Sequence, residues 1–192
     1  MKTRLLDLIQ CPMCGGALAC EAFVETTEID EGKLTCAGCA RDYPIIGTIP
    51  RLLPDALSHL SPQYHPEFFE RHAAAMAGFL RRCGPAPKDR WWGIERRPIR
   101  SYSYQWRRFK AMLPEWEAVF RDSIEPIRPA FFPGKVGLDA GCGFGRSLHY
   151  AATYGAEMIG LDLSEAIEAA RENTKQFPNV HLVQADIFHP PI

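Results

Sequence analysis

Three glycines at every second position follow a short apolar run, with an acid two residues ahead of the first, in Val136-Gly137-Leu138-Asp139-Ala140-Gly141-Cys142-Gly143-Phe144-Gly145-Arg146. Glycine admits positive φ and leaves no Cβ between main chain and ligand, so a small molecule can lie directly against such a loop. A helix-forming segment, residues 147–154, comes next, and its unpaired first N–H groups favour a carboxylate or a phosphate. A dinucleotide loop reads G-x-G-x-x-G, which calls for glycine at 146, where the chain has Arg146. The spacing here is D-x-G-x-G-x-G, with the third glycine one residue early and Asp139 in front.

A second constellation lies near the start of the chain. Cys11-Pro12-Met13-Cys14 and Cys36-Ala37-Gly38-Cys39 form two C-x2-C pairs separated by twenty-one residues. A C-x2-C turn brings both sulfurs to one side of a tight knuckle, and two knuckles surround one Zn²⁺ tetrahedrally. Cys11, Cys14, Cys36 and Cys39 are therefore the expected ligands of a structural zinc ion. Four cysteines leave no open position for water or substrate, which argues against a catalytic metal. Seven cysteines, an odd number with four in close pairs, suit metal binding in a reducing compartment rather than a disulfide framework.

The elements that must position these residues read as follows. Short strands are expected around 22–24 and 34 between the knuckles. Prolines at 54, 62, 66, 85, 87 and 98 break residues 54–100 into pieces, with one helix from Glu67 to about Arg82 in which His72 and Met76 are packing residues. After the glycine loop, residues 157–163 read as a second buried strand ending in Asp162, which lies 21 residues beyond Gly141. That is close to the ~20 residues at which nucleotide-binding βαβ units place a ribose-binding acid. Ser164 caps a helix over 165–176. Residues 180–187 form a third strand, again closing on an acid, Asp186. In a parallel sheet Asp139, Asp162 and Asp186 fall on one carboxyl edge.

The D-x-G-x-G-x-G loop with these acids resembles motif I and the following strands of the class I S-adenosylmethionine-dependent methyltransferases. The resemblance implies an α/β, Rossmann-like fold. It implies cofactor contacts from Asp139 to the amino group, from Gly141, Gly143 and Gly145 along the loop, from Asp162 to the ribose hydroxyls, from Asp186 to the adenine amino group and from Ile187 to the ring. Arg146 is a candidate for the methionine carboxylate, and Cys142 a small filler. Residues 5–55, with Cys-Pro-Met-Cys-Gly-Gly and Tyr43-Pro44-Ile45-Ile46-Gly47, resemble the short zinc-ribbon proteins that activate tRNA and translation-factor methyltransferases. Tyr104-Gln105-Trp106 resembles a segment found upstream of motif I in zinc-ribbon methyltransferases, where it belongs to a helix or lid over the cofactor.

The expected organisation is a small β zinc ribbon over 1–55, a basic, aromatic-containing linker or lid with a helix over 56–110, and the cofactor half of a methyltransferase domain over 111–192. Charge is uneven: residues 81–110 hold ten Lys and Arg against two acids, whereas 1–55 hold five against eight and 111–192 six against eleven. Basic residues interleaved with Trp91, Trp92, Tyr102, Tyr104, Trp106 and Phe109 suit phosphates and stacked bases, and equally a solvated face over buried aromatics. The expected function is S-adenosylmethionine-dependent methyl transfer to an acceptor of unassigned class, through a chain expected to lack the acceptor-binding half. The alternative is a non-catalytic zinc-ribbon docking module, possibly RNA-associated. An RNA or protein partner would meet the basic segment or the ribbon; no residue stands out as a general base. No apolar run nears the ~20 residues needed to cross a bilayer, and the first ten residues lack a signal-peptide core, so a cytoplasmic location is expected.

Overall fold

The computed structural model describes residues 1–84, 101–106 and 108–192, in a chain that divides into two compact units, Met1–Arg90 with Gln184–Ile192, and Trp91–Val183. The secondary structure is mixed α/β. Among the described residues no helix is long and apolar enough to cross a membrane.

The first unit is built on four antiparallel strands in sequential order, β1 (Leu18–Glu25), β2 (Ile29–Cys36), β3 (Asp42–Ile46) and β4 (Ile49–Leu52). From Gly32 onward strand β2 alternates buried with partly buried residues, so Leu34 and Cys36 share one face; Ile29, Leu5, Ile45 and Ile49 are buried as well. Gly32 is required by close approach, because a Cβ there would lie 2.6 Å from the Glu21 carbonyl oxygen of β1. The β3–β4 turn uses Gly47 and Thr48 with φ of 56° and 68°. Two left-handed residues give a hairpin turn whose twist matches its strands, but Thr48 is β-branched and strained there. The other edge of β4 pairs in parallel with Gln184 and Ala185; Arg51, 1 % exposed, donates to Gln184 Oε1 (3.1 Å) and to the Ile46 carbonyl (3.0 Å).

The helix expected from Glu67 to Arg82 is two short helices, α2 (Pro66–Arg71) and α3 (Ala77–Arg82), after α1 (Leu60–Tyr64). The break falls at His72, whose ring sits 4.7 Å from Phe23 and 4.9 Å from Phe68, with Nε2 2.7 Å from Glu31 Oε2. Ending α2 there lets Phe68, Phe69, Met76 and Phe79 converge with Ile46 in one cluster, which a straight helix would spread along its length. His72 and Met76 are packing residues, as expected.

The second unit carries β5 (Val136–Ala140) and β6 (Glu157–Asp162), parallel in the register Val136↔Glu157 to Ala140↔Leu161, with β6 between β5 and β7 (Val180–Ala185). Helix α4 (101–106) precedes α5 (Trp116–Ser123), α6 (Arg146–Thr153) and α7 (Ala166–Thr174). Strand β6 is buried on both faces, as its unbroken apolar run implies. Gly160 makes this packing possible: a Cβ there would lie 2.5 Å from Leu148 Cδ1 of α6 and 3.1 Å from Cys142 Sγ. Strand β5 is the last of its sheet, and its Val136 and Leu138 are exposed.

Candidate functional site

The four cysteine sulfurs lie within 4.8 Å of one another. Cys11 Sγ is 3.7 Å from Cys39 Sγ, and Cys14 Sγ is 3.5 Å from Cys36 Sγ. Disulfide sulfurs are about 2.05 Å apart, whereas sulfurs at ~2.3 Å from a tetrahedral zinc are separated by about 3.8 Å. The donor set and its spacing therefore fit a four-coordinate metal. Each knuckle closes with the same bond, Gly15 N–H to the Cys11 carbonyl and Ala40 N–H to the Cys36 carbonyl, both 2.9 Å, and each closing residue is left-handed, with φ of 70° and 54°. Gly16 has a different reason to be glycine, since a Cβ there would lie 2.9 Å from Cys36 Sγ and 3.3 Å from Cys14 Sγ.

Around this centre, among the described residues, one side chain from another element meets a sulfur. Tyr43 Oη lies 3.1 Å from Cys11 Sγ, and nearby the Arg41 guanidinium clasps Asp55 through Nε (3.2 Å) and Nη2 (2.9 Å). Spacing rules name ligands but not such neighbours, so neither was evident in the sequence.

In the second unit, the glycine loop leaves β5 with Gly141, Gly143 and Gly145 all left-handed, at φ of 87°, 55° and 85°. Three such residues in five positions are open to glycine at no steric cost and strained for anything else. Among the described residues nothing lies within 4 Å of a Cβ built on Gly141, whereas one on Gly145 would meet the Ala170 Cα of α7 at 3.1 Å. Gly141 thus faces free space, and Gly145 lets the loop pack on a helix. Cys142 is buried, and burial pushes its thiol well above the usual range, as befits a filler.

Asp162, at the end of β6, holds this loop together. Its Oδ2 accepts from Gly143 N–H (2.8 Å), and its Oδ1 accepts from Ser164 N–H (2.8 Å) and Ser164 Oγ (2.7 Å). Ser164 Oγ in turn accepts from Ala166 N–H (3.2 Å), satisfying one of the free donors at the start of α7. Asp139, at the end of β5, is the contrast: its Oδ2 is buried with no hydrogen-bond partner among the described residues. Burial first, and then the nearby charge of Asp162, raise its carboxyl to about 6, with Arg146 opposing.

Aromatic side chains cover the loop. The Trp106 ring lies 4.9 Å from Phe144, nearly parallel, and its Nε1 would be 3.3 Å from a Cβ on Gly143. Trp116 meets Phe144 edge-on at 6.4 Å, and the Arg146 guanidinium sits 5.0 Å over the Trp116 ring. Tyr104 is 71 % exposed and makes no part of this cover.

Asp186 follows β7, in the part of the chain that belongs to the first unit, and is buried there. Its carboxylate is engaged by its own turn, accepting from Phe188 N–H (3.1 Å) and lying 2.8 Å from His189 Nδ1. Ile187 is exposed. Of the basic segment 81–110, residues 85–100 and 107, with Trp91 and Trp92, lie outside the described residues.

Residues 2–47 match the Trm112p-like protein family, and residues 132–191 match the methyltransferase domain family. No curated protein matches the chain. Similar solved structures include a TehB-like SAM-dependent methyltransferase from Corynebacterium glutamicum, at 29 % identity over 46 % of this chain and 45 % of that one, with a TM-score of 0.30. They also include SAM-bound CalS10, an amino pentose methyltransferase from Micromonospora echinaspora, at 29 % identity over 46 % of this chain and 34 % of that one, TM-score 0.30. Protein arginine methyltransferase 10 of Arabidopsis thaliana matches at 23 % identity over 46 % of this chain and 26 % of that one, TM-score 0.32. The chain thus spans less than half the length of each of these proteins. What the matches establish is a chain that joins a Trm112p-like zinc-ribbon segment to a segment of a methyltransferase domain.

Proposed function

We propose that the chain serves S-adenosylmethionine-dependent methyl transfer, with the glycine loop holding the cofactor and the four cysteines holding a structural Zn²⁺. The observation that carries the cofactor reading is Asp139 Oδ2, among the described residues a buried acceptor without a partner, at the mouth of a loop whose Gly141 has none of them within reach of a built Cβ. A buried acceptor left unpaired costs roughly 1–3 kcal/mol, a cost that an ammonium donor from a ligand removes. A dinucleotide offers its loop a pyrophosphate, which an unpaired carboxylate would repel; an amino acid offers a cation.

Asp162 has a narrower role than the sequence implied. An ionised carboxylate has about four acceptor directions, and three are taken by Gly143 and Ser164. The one that remains, on Oδ2, suits a single ribose hydroxyl. Arg146 and the aromatic cover of Trp106 and Trp116 shield the loop from water. Bound S-adenosylmethionine supplies a methyl group already made electrophilic by its sulfonium, so the protein's task is to bring an acceptor into line. Segment 81–110 is assigned to that acceptor, as RNA or protein. The test is calorimetry of the chain with S-adenosylhomocysteine and with NAD. Binding of the first alone is expected; binding of NAD would refute the reading, and binding of neither would favour a docking module.

A further inference from the structure

We propose that Tyr43 is a positioning residue of the metal centre, its hydroxyl donating to the Cys11 thiolate so as to fix that ligand and slow metal release. The inference rests on the metal reading above. Tyr43 lies on β3 opposite Leu34 of β2 and is 2 % exposed, and Cys11 is likewise 2 % exposed, so water does not compete for the 3.1 Å contact between Oη and Sγ. A zinc-bound cysteine carries no proton, so the metal sets the direction of this bond: the phenol must donate and the sulfur accept.

One corner of the sulfur cluster therefore receives a side-chain donor. At Cys11 the donor is neutral and buried, where a hydrogen bond is least screened. Cys14, by contrast, is exposed. A hydrogen bond at this buried sulfur holds Sγ in place and disperses its charge, so Cys11 is fixed as a ligand. Outer partners of metal ligands typically alter affinity by about 10–100-fold when removed.

The experiment uses the whole chain and Tyr43→Phe, which keeps the ring and removes only the hydroxyl. Both are loaded with Zn²⁺, and release to excess chromophoric chelator is timed; both are then loaded with Co²⁺ and the sulfur-to-metal charge-transfer band recorded. Tyr43→Phe should release zinc about tenfold faster, and its cobalt band should move to lower energy, because an unbonded thiolate gives up its electron more easily. Equal rates and superimposable bands would overturn the role of Tyr43. A parent chain that takes up neither metal would instead overturn the metal reading, so the two failures are told apart. Should Tyr43→Phe not fold, chain grown with 3-fluorotyrosine keeps the shape and strengthens the donor. Slower release and a band at higher energy are expected, and unchanged values would again refute the proposal.

Discussion

Asp139→Asn should make the protein more stable at neutral pH while removing its affinity for S-adenosylhomocysteine. Asp139 is held at about 6 against an ordinary 3.8 by burial first and then by the charge of Asp162, and its Oδ2 has no donor among the described residues. An acid whose folded pKa lies above its unfolded value holds its proton more tightly when folded, so stability is greatest below the ordinary value and falls as pH climbs from about 4 to about 6. At 1.36 kcal/mol for each unit of pKa, the span sets a limit of about 3 kcal/mol, or about 2 after allowing for the solvent that still reaches the residue. Asparagine does not titrate, so the constant cost of its amide cancels when the two chains are compared across pH. Chemical unfolding of parent and Asp139→Asn at pH 4.5 and at pH 7.5 should show the variant gaining about 1 kcal/mol relative to parent between the two, the rest of the effect lying below pH 4.5. Calorimetry adds the functional half: parent should bind S-adenosylhomocysteine more tightly as Asp139 ionises through pH 6, and the variant should show no such rise. A stability difference that does not change with pH would refute the account of Asp139 as a strained, unpaired acid.

Three further outcomes are expected. Cys36→Ser, which removes a buried ligand, should lose zinc by elemental analysis and unfold the ribbon, since structural zinc contributes on the order of 10 kcal/mol in small fingers; zinc retained one per chain would show that the four sulfurs are not the site. Asp162→Ala should weaken S-adenosylhomocysteine by about 2 kcal/mol and free the Gly143 amide, so faster hydrogen exchange at Gly143 should accompany the loss; slow exchange there would mean that Asp162 does not hold the loop. Ala40→Gly should raise the stability of the metal-loaded chain by about 0.5–1 kcal/mol, because a left-handed residue at φ 54° carries a Cβ penalty that glycine lacks; a loss of stability on thermal unfolding would count against that strain.

The parts of this protein legible in its sequence are those set by short-range geometry. A C-x2-C turn closes over four residues, and D-x-G-x-G-x-G spans one strand end and one turn, so spacing alone specifies a knuckle or a strand-loop-helix junction. The unbroken apolar run of β6 and the alternation of β2 are likewise local. What only the tertiary structure decided is which groups are satisfied and which are left over. Asp162 and Gly143 are nineteen residues apart, and only the parallel register of β5 and β6 puts a carboxylate against that amide. Asp139 reads like Asp162 in the sequence, an acid at a strand end, yet one has three donors and the other has a buried oxygen with none. Tyr43 meets Cys11 across thirty-two residues, and His72 breaks a helix to meet Glu31 across forty-one. Propensity and spacing carry no term for a partner that distant, because a hydrogen bond depends on where folding brings the second atom, and that place is set by the packing of the whole unit.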